Sequence, residues 1–340
     1  MKKIRFAVVG CGQIGGRHAQ LSAVTGDLMA VCDIDREKAI QTGNKYGVKH
    51  FFRIEDLLKE EKNIDLMVIC TPNGLHASHS VQSLEAGLHV LCEKPISITV
   101  SEGQRMIEVA KISGKELFIV KQNRFNPPVL AVKKLLDEGK LGKISAVQVN
   151  GFWYRGDDYY QDSLWRGTLS LDGGILFTQF SHFIDLLYWF MGDIKNIHAF
   201  GSNFSHQDTI EFEDGAVVCL EFHNGAIGTA HFTINSYRKN MEGSLTIFGE
   251  NGTVKIGGQY LNAIEYEMVR DLEIGNVPAG NKSNDYGTYQ GSMSNHDKIY
   301  QHVRDVLTMG APNQFSGQDA LKTVEIIERI YAAAGRHQVA

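Results

Sequence analysis

No apolar stretch in this chain approaches the ~20 residues needed to cross a bilayer. Leu186 to Met191 is apolar but short, and it follows Asp185. Charge of either sign is not in excess: 34 Lys and Arg against 39 Asp and Glu leave a formal net charge of −5, which suggests no polyanion partner and no nucleic acid. Cysteine is scarce. The five residues, at 11, 32, 70, 92 and 219, fit no zinc spacing. They read as structural thiols of a reducing cytosol, and no metal is expected. No signal peptide precedes the first strand, because Met1-Lys2-Lys3 runs straight into it, so a cytoplasmic protein is expected. Internal repeats and low-complexity segments are missing too. The 340 residues suggest two domains, and 43% apolar with 21% charged content is ordinary for a soluble globular protein.

The most informative feature that is present lies near the start. An apolar run, Ile4 to Val9, meets Gly10-Cys11-Gly12-Gln13-Ile14-Gly15 and then a helix-compatible stretch; a second apolar run ends on Asp33. This is a dinucleotide-binding fingerprint in its proper setting: strand, tight turn, helix, strand, acid. Gly10 allows the turn, Gly12 lets a pyrophosphate approach the backbone, and Gly15 lets the helix pack close to the strand. The helix start offers N–H groups and a positive dipole end to phosphates. Asp33 suits adenosine ribose hydroxyls and repels a 2′-phosphate, which favours NAD over NADP; Arg36 is close enough in sequence to soften that preference. A glycine turn in an unrelated α/β domain is the bland alternative, and it leaves Asp33 unexplained.

Short apolar strands alternate with helices through about residue 120, which predicts a parallel, doubly wound sheet. Ligands of such sheets bind beyond the carboxyl ends of the strands, where Thr71-Pro72-Asn73 and Glu93-Lys94-Pro95 fall. After Asn126-Pro127-Pro128 the pattern changes to β-branched and aromatic strands. Asp214-Gly215, Asn224-Gly225 and Asn251-Gly252 suit tight hairpin turns. The expected architecture is α/β: a Rossmann domain over 1–122, then an α+β domain over 123–340 with a large, open, mostly antiparallel sheet. The last helices, about Asn295–Met309 and Gly317–Arg336, have the option of packing back on the first domain. Val269 to Met293 reads as a long loop. An open sheet with one uncovered face predicts a homo-oligomer, dimer or tetramer.

Two segments can carry chemistry. Lys94 sits where a nicotinamide ring would lie and suits a base if its pKa is lowered; a plain surface lysine fits the same place. In Gly173 to Asp185, residues Thr178, His182 and Asp185 fall at i, i+4 and i+7, one polar face of a single apolar helix. His182 can exchange a proton near neutral pH, although a buried structural histidine is the alternative. Trp165-Arg166, Tyr154-Arg155, Tyr159, Tyr160 and the run Lys121 to Asn126 are lesser candidates. Asn295-His296 opens a helix.

With these residues in place, the chain resembles the Gfo/Idh/MocA oxidoreductases. The resemblance spans the chain and rests on Val9 to Gly15, Cys70-Thr71-Pro72-Asn73-Gly74-Leu75-His76, Glu93-Lys94-Pro95 and Gly173 to Asp185. Gln122 to Pro128, Tyr159 to Thr168 (through Asp162) and Leu171 to Gly174 look like the UDP-N-acetylglucosaminuronate 3-dehydrogenases of bacterial surface-polysaccharide biosynthesis. The resemblance implies an NAD-dependent enzyme that oxidises the C3 hydroxyl of a UDP-sugar, with 2-oxoglutarate as a possible electron acceptor. It implies a cofactor site of Gly10, Gly12, Gln13, Ile14, Gly15, Asp33, Thr71, Pro72, Asn73, His76, Glu93, Lys94, Gln122, Trp165 and Arg166. The implied substrate site is Lys94, Asn123, Arg124, Arg155, Tyr160, Gln179 and His182, with Lys94, His182 and Thr178 as the catalytic group. Many members carry an aspartate where Thr178 stands, so an Asp–His proton relay is doubtful here and Lys94 becomes the expected base. Rival readings are another sugar or inositol dehydrogenase, an NADPH-dependent ketoreductase, and a non-enzymatic cofactor-binding regulator.

Overall fold

The computed structural model describes residues 3–161, 163–275, 277–278, 280–285 and 290–335. Asp162 and Arg336 therefore lie outside the described residues. The chain forms two compact units, one of 1–121 with 296–324, the other of 122–295 with 325–340. Among the described residues no helix is long and apolar enough to cross a membrane.

In the first unit six strands run parallel in the order β3-β2-β1-β4-β5-β6. They are β1 (Arg5–Val9), β2 (Asp27–Cys32), β3 (Lys49–Phe51), β4 (Leu66–Ile69), β5 (His89–Cys92) and β6 (Leu117–Ile119). Between them lie α1 (Gln13–Thr25), α2 (Arg36–Tyr46), α3 (Ile54–Glu60), α4 (His76–Glu85) and α5 (Val100–Ser113). Every residue of β4 is buried, as a strand covered on both faces requires. The helix His296–Met309 belongs to this unit, although a single boundary after residue 122 would assign it elsewhere. The reason is packing. The Tyr300 ring lies 5.5 Å from that of Phe6, and its hydroxyl reaches His18 Nδ1 and Ser22 Oγ on α1, each at 3.0 Å. Four thiols, of Cys11, Cys32, Cys70 and Cys92, are buried. Burial pushes those of Cys11 and Cys32 up to about 12, so they are inert at neutral pH.

The second unit opens with α6 (Pro127–Asp137), β7 (Ile144–Phe152), α7 (Asp157–Gln161), α8 (Ile175–Thr178) and α9 (Ser181–Met191). Then follow β8 (Ile194–Ser202), β9 (Gly215–Phe222), β10 (Ile227–Thr233), β11 (Glu242–Gly249), β12 (Gly252–Gly257) and β13 (Ala263–Val269). Seven strands form one sheet in the order β13-β12-β11-β7-β10-β9-β8. Only the β7–β10 pair is parallel. Alternation sets its two faces. Val147, Val149, Val218, Leu220, Phe232 and Ile247 are buried, and Phe180 stacks on Phe232 at 4.9 Å between centroids. The residues between them face outward.

Three sequence expectations need correction here. The Gly173–Asp185 segment is two helices, not one, because α8 ends at Thr178 and α9 starts at Ser181. Asp214-Gly215 is not a hairpin turn. Gly215 opens β9, and the Asp214 carboxylate instead accepts the Phe204 and Ser205 amides of the preceding loop. The stretch from Val269 to Met293 is not all loop, since Ser283–Asp285 and Gln290–Met293 pair as a two-stranded ribbon.

Asp214 also holds His206. Its carboxylate lies 3.1 Å from His206 Nδ1, and the Arg155 carbonyl lies 2.8 Å from Nε2. Both partners only accept, so an imidazolium satisfies both and a neutral ring satisfies one. Burial works against that charge, but the Asp214 and Arg155 hydrogen bonds outweigh it, and the His206 pKa is raised. A raised native pKa gives stability that is complete below the unfolded value, about 6.5, and lost as pH rises through the native value. In urea unfolding across pH 6 to 9, the gap between wild type and His206→Asn is therefore expected to be widest at low pH and to narrow upward. A gap that widens with pH overturns this assignment.

Candidate active site

On the first unit the glycine turn is shaped by backbone contact. Gly10 has φ +96°, and a Cβ there would lie 2.4 Å from the Cys70 carbonyl oxygen. A Cβ on Gly15 would lie 1.8 Å from the Gly10 oxygen. At Gly12 a Cβ would meet nothing within 4 Å. That open side faces the start of α1, which has no side-chain cap and no acidic residue in its first turn. The first N–H groups there, Gln13 and Ile14 included, have no acceptor within their own helix. An open approach to uncapped N–H groups fits a diphosphate. Asp33 braces the turn: Oδ2 accepts the Cys11 amide at 2.6 Å and Oδ1 the Asp35 amide at 2.8 Å. Each carboxylate oxygen has a second lone pair for a ribose hydroxyl. Arg36 stacks on Phe52 at 4.3 Å.

The other strand-end loops are tied together. Both ring nitrogens of His76 are taken, Nδ1 by the Pro95 carbonyl at 2.6 Å and Nε2 by the Thr71 carbonyl at 2.9 Å. His76 thus braces the Thr71-Pro72-Asn73 loop against the Lys94–Pro95 turn. Lys94 is half-buried and Glu93 buried.

On the second unit Thr178, His182 and Asp185 each go to a different partner, so the single-face expectation fails with the helix break. The Thr178 hydroxyl donates to the fully buried Asp172 carboxylate. Gln122 Nε2 donates to His182 Nε2 at 3.1 Å and to Ser292 Oγ at 3.0 Å. An imidazole that accepts at Nε2 carries its proton on Nδ1 and is neutral. Asp185 is bidentate with Arg124, 2.8 Å for each bond, and the guanidinium stacks on Trp189 at 4.8 Å.

Arg124 is 5% exposed and paired with that carboxylate, which gives it a structural role. Arg155 is held likewise, by the Tyr154 carbonyl at 2.6 Å and Asn240 Oδ1 at 3.2 Å. Arg166 lies over the Tyr159 ring at 4.1 Å, next to half-buried Trp165.

A different set of buried groups is left open. Among the described residues of this unit, Gln122 Oε1, Asn123 Oδ1, Tyr160 OH, Gln179 Oε1, Ser181 Oγ, Asn235 Oδ1 and Asn284 Oδ1 are buried with no hydrogen-bond partner. Each such group costs about 1–3 kcal/mol. Hydroxyl and amide groups of a ligand are the kind of partner such atoms take. Ser292 was missed from the sequence because its partner, Gln122, lies 170 positions away along the chain.

Removing one partner of a buried ion pair strands the other. Arg124→Met is accordingly expected to cost about 3–5 kcal/mol in urea unfolding. A loss under ~1 kcal/mol would return Arg124 to the list of ligand-binding candidates.

Residues 4–121 match the model of the oxidoreductase family with an NAD-binding Rossmann fold, and residues 129–255 match the GFO/IDH/MocA C-terminal domain. The WlbA dehydrogenase from Bordetella pertussis, solved in complex with NADH and UDP-GlcNAcA, is 32% identical with a TM-score of 0.86, covering 98% of this chain and 97% of that one. D-apiose dehydrogenase of Paraburkholderia graminis is 24% identical across 98% of this chain and 88% of its own. Myo-inositol 2-dehydrogenase of Thermotoga maritima is 27% identical across 74% of each. With the glycine turn, the parallel sheet and both family models in agreement, the chain belongs to the Gfo/Idh/MocA family, as an oxidoreductase with NAD as its cofactor among the sugar and polyol dehydrogenases.

Proposed function

We propose that the protein oxidises the C3 hydroxyl of a UDP-sugar, UDP-N-acetylglucosaminuronic acid, to the 3-keto sugar. One observation carries this reading: full-length similarity, at 32% identity, to a dehydrogenase solved with NADH and UDP-GlcNAcA. NAD supplies the hydride acceptor. Gly10, Gly12 and Gly15 with the start of α1 hold the diphosphate, and Asp33 the adenosine ribose. Lys94 takes the C3 hydroxyl proton. His182, its Nε2 engaged by Gln122, orients that hydroxyl and stabilises the forming carbonyl. Thr178 is not ionisable and serves the Asp172 carboxylate instead. Asn123, Tyr160 and Gln179 supply buried polar atoms for sugar groups.

A different sugar or inositol as substrate is the second reading, favoured by the apiose and inositol dehydrogenases among the relatives. Incubation with UDP-N-acetylglucosaminuronate and 2-oxoglutarate separates the two. A UDP-sugar lighter by two hydrogens supports the first reading and makes 2-oxoglutarate the electron acceptor. NADH formation only with free sugars or inositols supports the second. Lys94→Met is expected to keep NADH binding by fluorescence and lose about 10²–10⁴-fold in turnover, the range of a general base. Near-normal turnover would remove Lys94 from that role.

The outward sheet face exposes Phe200, Val217, Ile227, Tyr266 and Met268. An apolar face of this kind is rare on a monomer. We assign it to a homo-oligomer, dimer or tetramer, and sedimentation as a monomer at micromolar concentration would refute that.

A further inference from the structure

We propose that Glu93 is a buried fixed charge that biases the bound cofactor toward its oxidised form. The residue follows β5, and its carboxylate receives three N–H groups from three separate parts of the first unit. Oε1 accepts from His18 Nε2 of α1 at 2.9 Å and from His296 Nε2 at 3.2 Å, the latter opening the helix His296–Met309. Oε2 accepts the Lys94 backbone amide at 3.1 Å. His18 is fixed in turn by the Tyr300 hydroxyl, 3.0 Å from Nδ1. The side chains of Glu93, His18 and His296 are 8%, 0% and 1% exposed, so water screens the charge little.

The ionisation state agrees with this geometry. Burial alone would raise the Glu93 pKa, but hydrogen bonds from His18 and His296 outweigh it and hold the carboxyl well below its usual range. Burial lowers the His296 pKa despite the neighbouring carboxylate, so that ring donates a hydrogen bond without adding a positive charge.

The position of this charge bears on the cofactor. In an open parallel sheet the dinucleotide lies across the strand ends. Asp33 ends β2 on one side of the glycine turn. On the other side lie β4 and β5, so the nicotinamide half falls to the Thr71 and Glu93-Lys94 loops. Accepting a hydride takes that ring from one positive charge to none. A negative charge near that ring would favour NAD⁺ over NADH, and a positive charge on Lys94 would oppose it.

The test is competition at equilibrium. Protein is equilibrated with equal free NAD⁺ and NADH, and the bound ratio is read by chromatography. Glu93→Gln keeps the hydrogen bonds, because its amide N–H groups can serve both imidazoles in their other tautomer while Oε1 accepts from Lys94. It removes only the charge. The expected result is a bound ratio shifted about tenfold toward NADH, or ~30 mV of two-electron potential. Lys94→Met is expected to shift the ratio the other way, and it reads the same field if Glu93→Gln does not fold.

Equal weakening of both forms in Glu93→Gln would mean a purely structural role and overturn the proposal. So would a shift of both variants in the same direction. The donor atoms of His18, Glu93 and His296 also lie within 4.8 Å of one another, close enough to hold a metal ion. Stoichiometric metal in the purified protein would neutralise the charge and likewise overturn it. Because the measurement needs only the cofactor, it stands whether or not the sugar assignment does.

Discussion

Three lengths of backbone meet where β1 ends, and no side chain fits between them. A Cβ at Gly15 would sit 1.8 Å from the Gly10 oxygen, and one at Gly10 would sit 2.4 Å from the Cys70 oxygen. That contact presses α1 onto the sheet beside the end of β4. Two features of the site follow from it. The first N–H groups of α1 are delivered to the open side of Gly12. One turn further along the helix, His18 comes close enough to reach Glu93, 75 positions away. A single steric constraint thus places both the phosphate cradle and one arm of the carboxylate clamp.

How legible each part was depends on how local its cause is. The glycine turn was readable because its steric requirement is written into six consecutive residues. The parallel sheet was readable because strands covered on both faces must be continuously apolar. The Gly173–Asp185 segment was misread for the opposite reason. Its helical spacing continues across the break at Gln179-Phe180, and periodicity cannot register a break that preserves it. The pairing of Arg124 with Asp185 was not legible because the two lie 61 positions apart. Asp214-Gly215 has the composition of a turn, but the aspartate is spent on backbone amides of the preceding loop.

The buried polar groups of the second unit then sort into two kinds. Arg124 with Asp185, and His206 with Asp214, are closed pairs that satisfy one another. Breaking one strands a charge, so they hold the fold. Gln122, Asn123, Tyr160, Gln179, Ser181, Asn235 and Asn284 each keep an atom without a partner. At about 1–3 kcal/mol apiece, such open atoms amount to a large fraction of a domain's typical net stability. Such a cost makes sense where a ligand offsets it. Arg124 belongs to the closed kind, its charge paired with Asp185.

Proton chemistry narrows by the same bookkeeping of partners. Thr178 cannot ionise, and its hydroxyl is given to Asp172. His182 has its Nε2 lone pair engaged by Gln122. On the proposed reading the base is therefore Lys94, which acts only when neutral. A positive charge brought near it, such as an oxidised nicotinamide ring carries, would favour that neutral form.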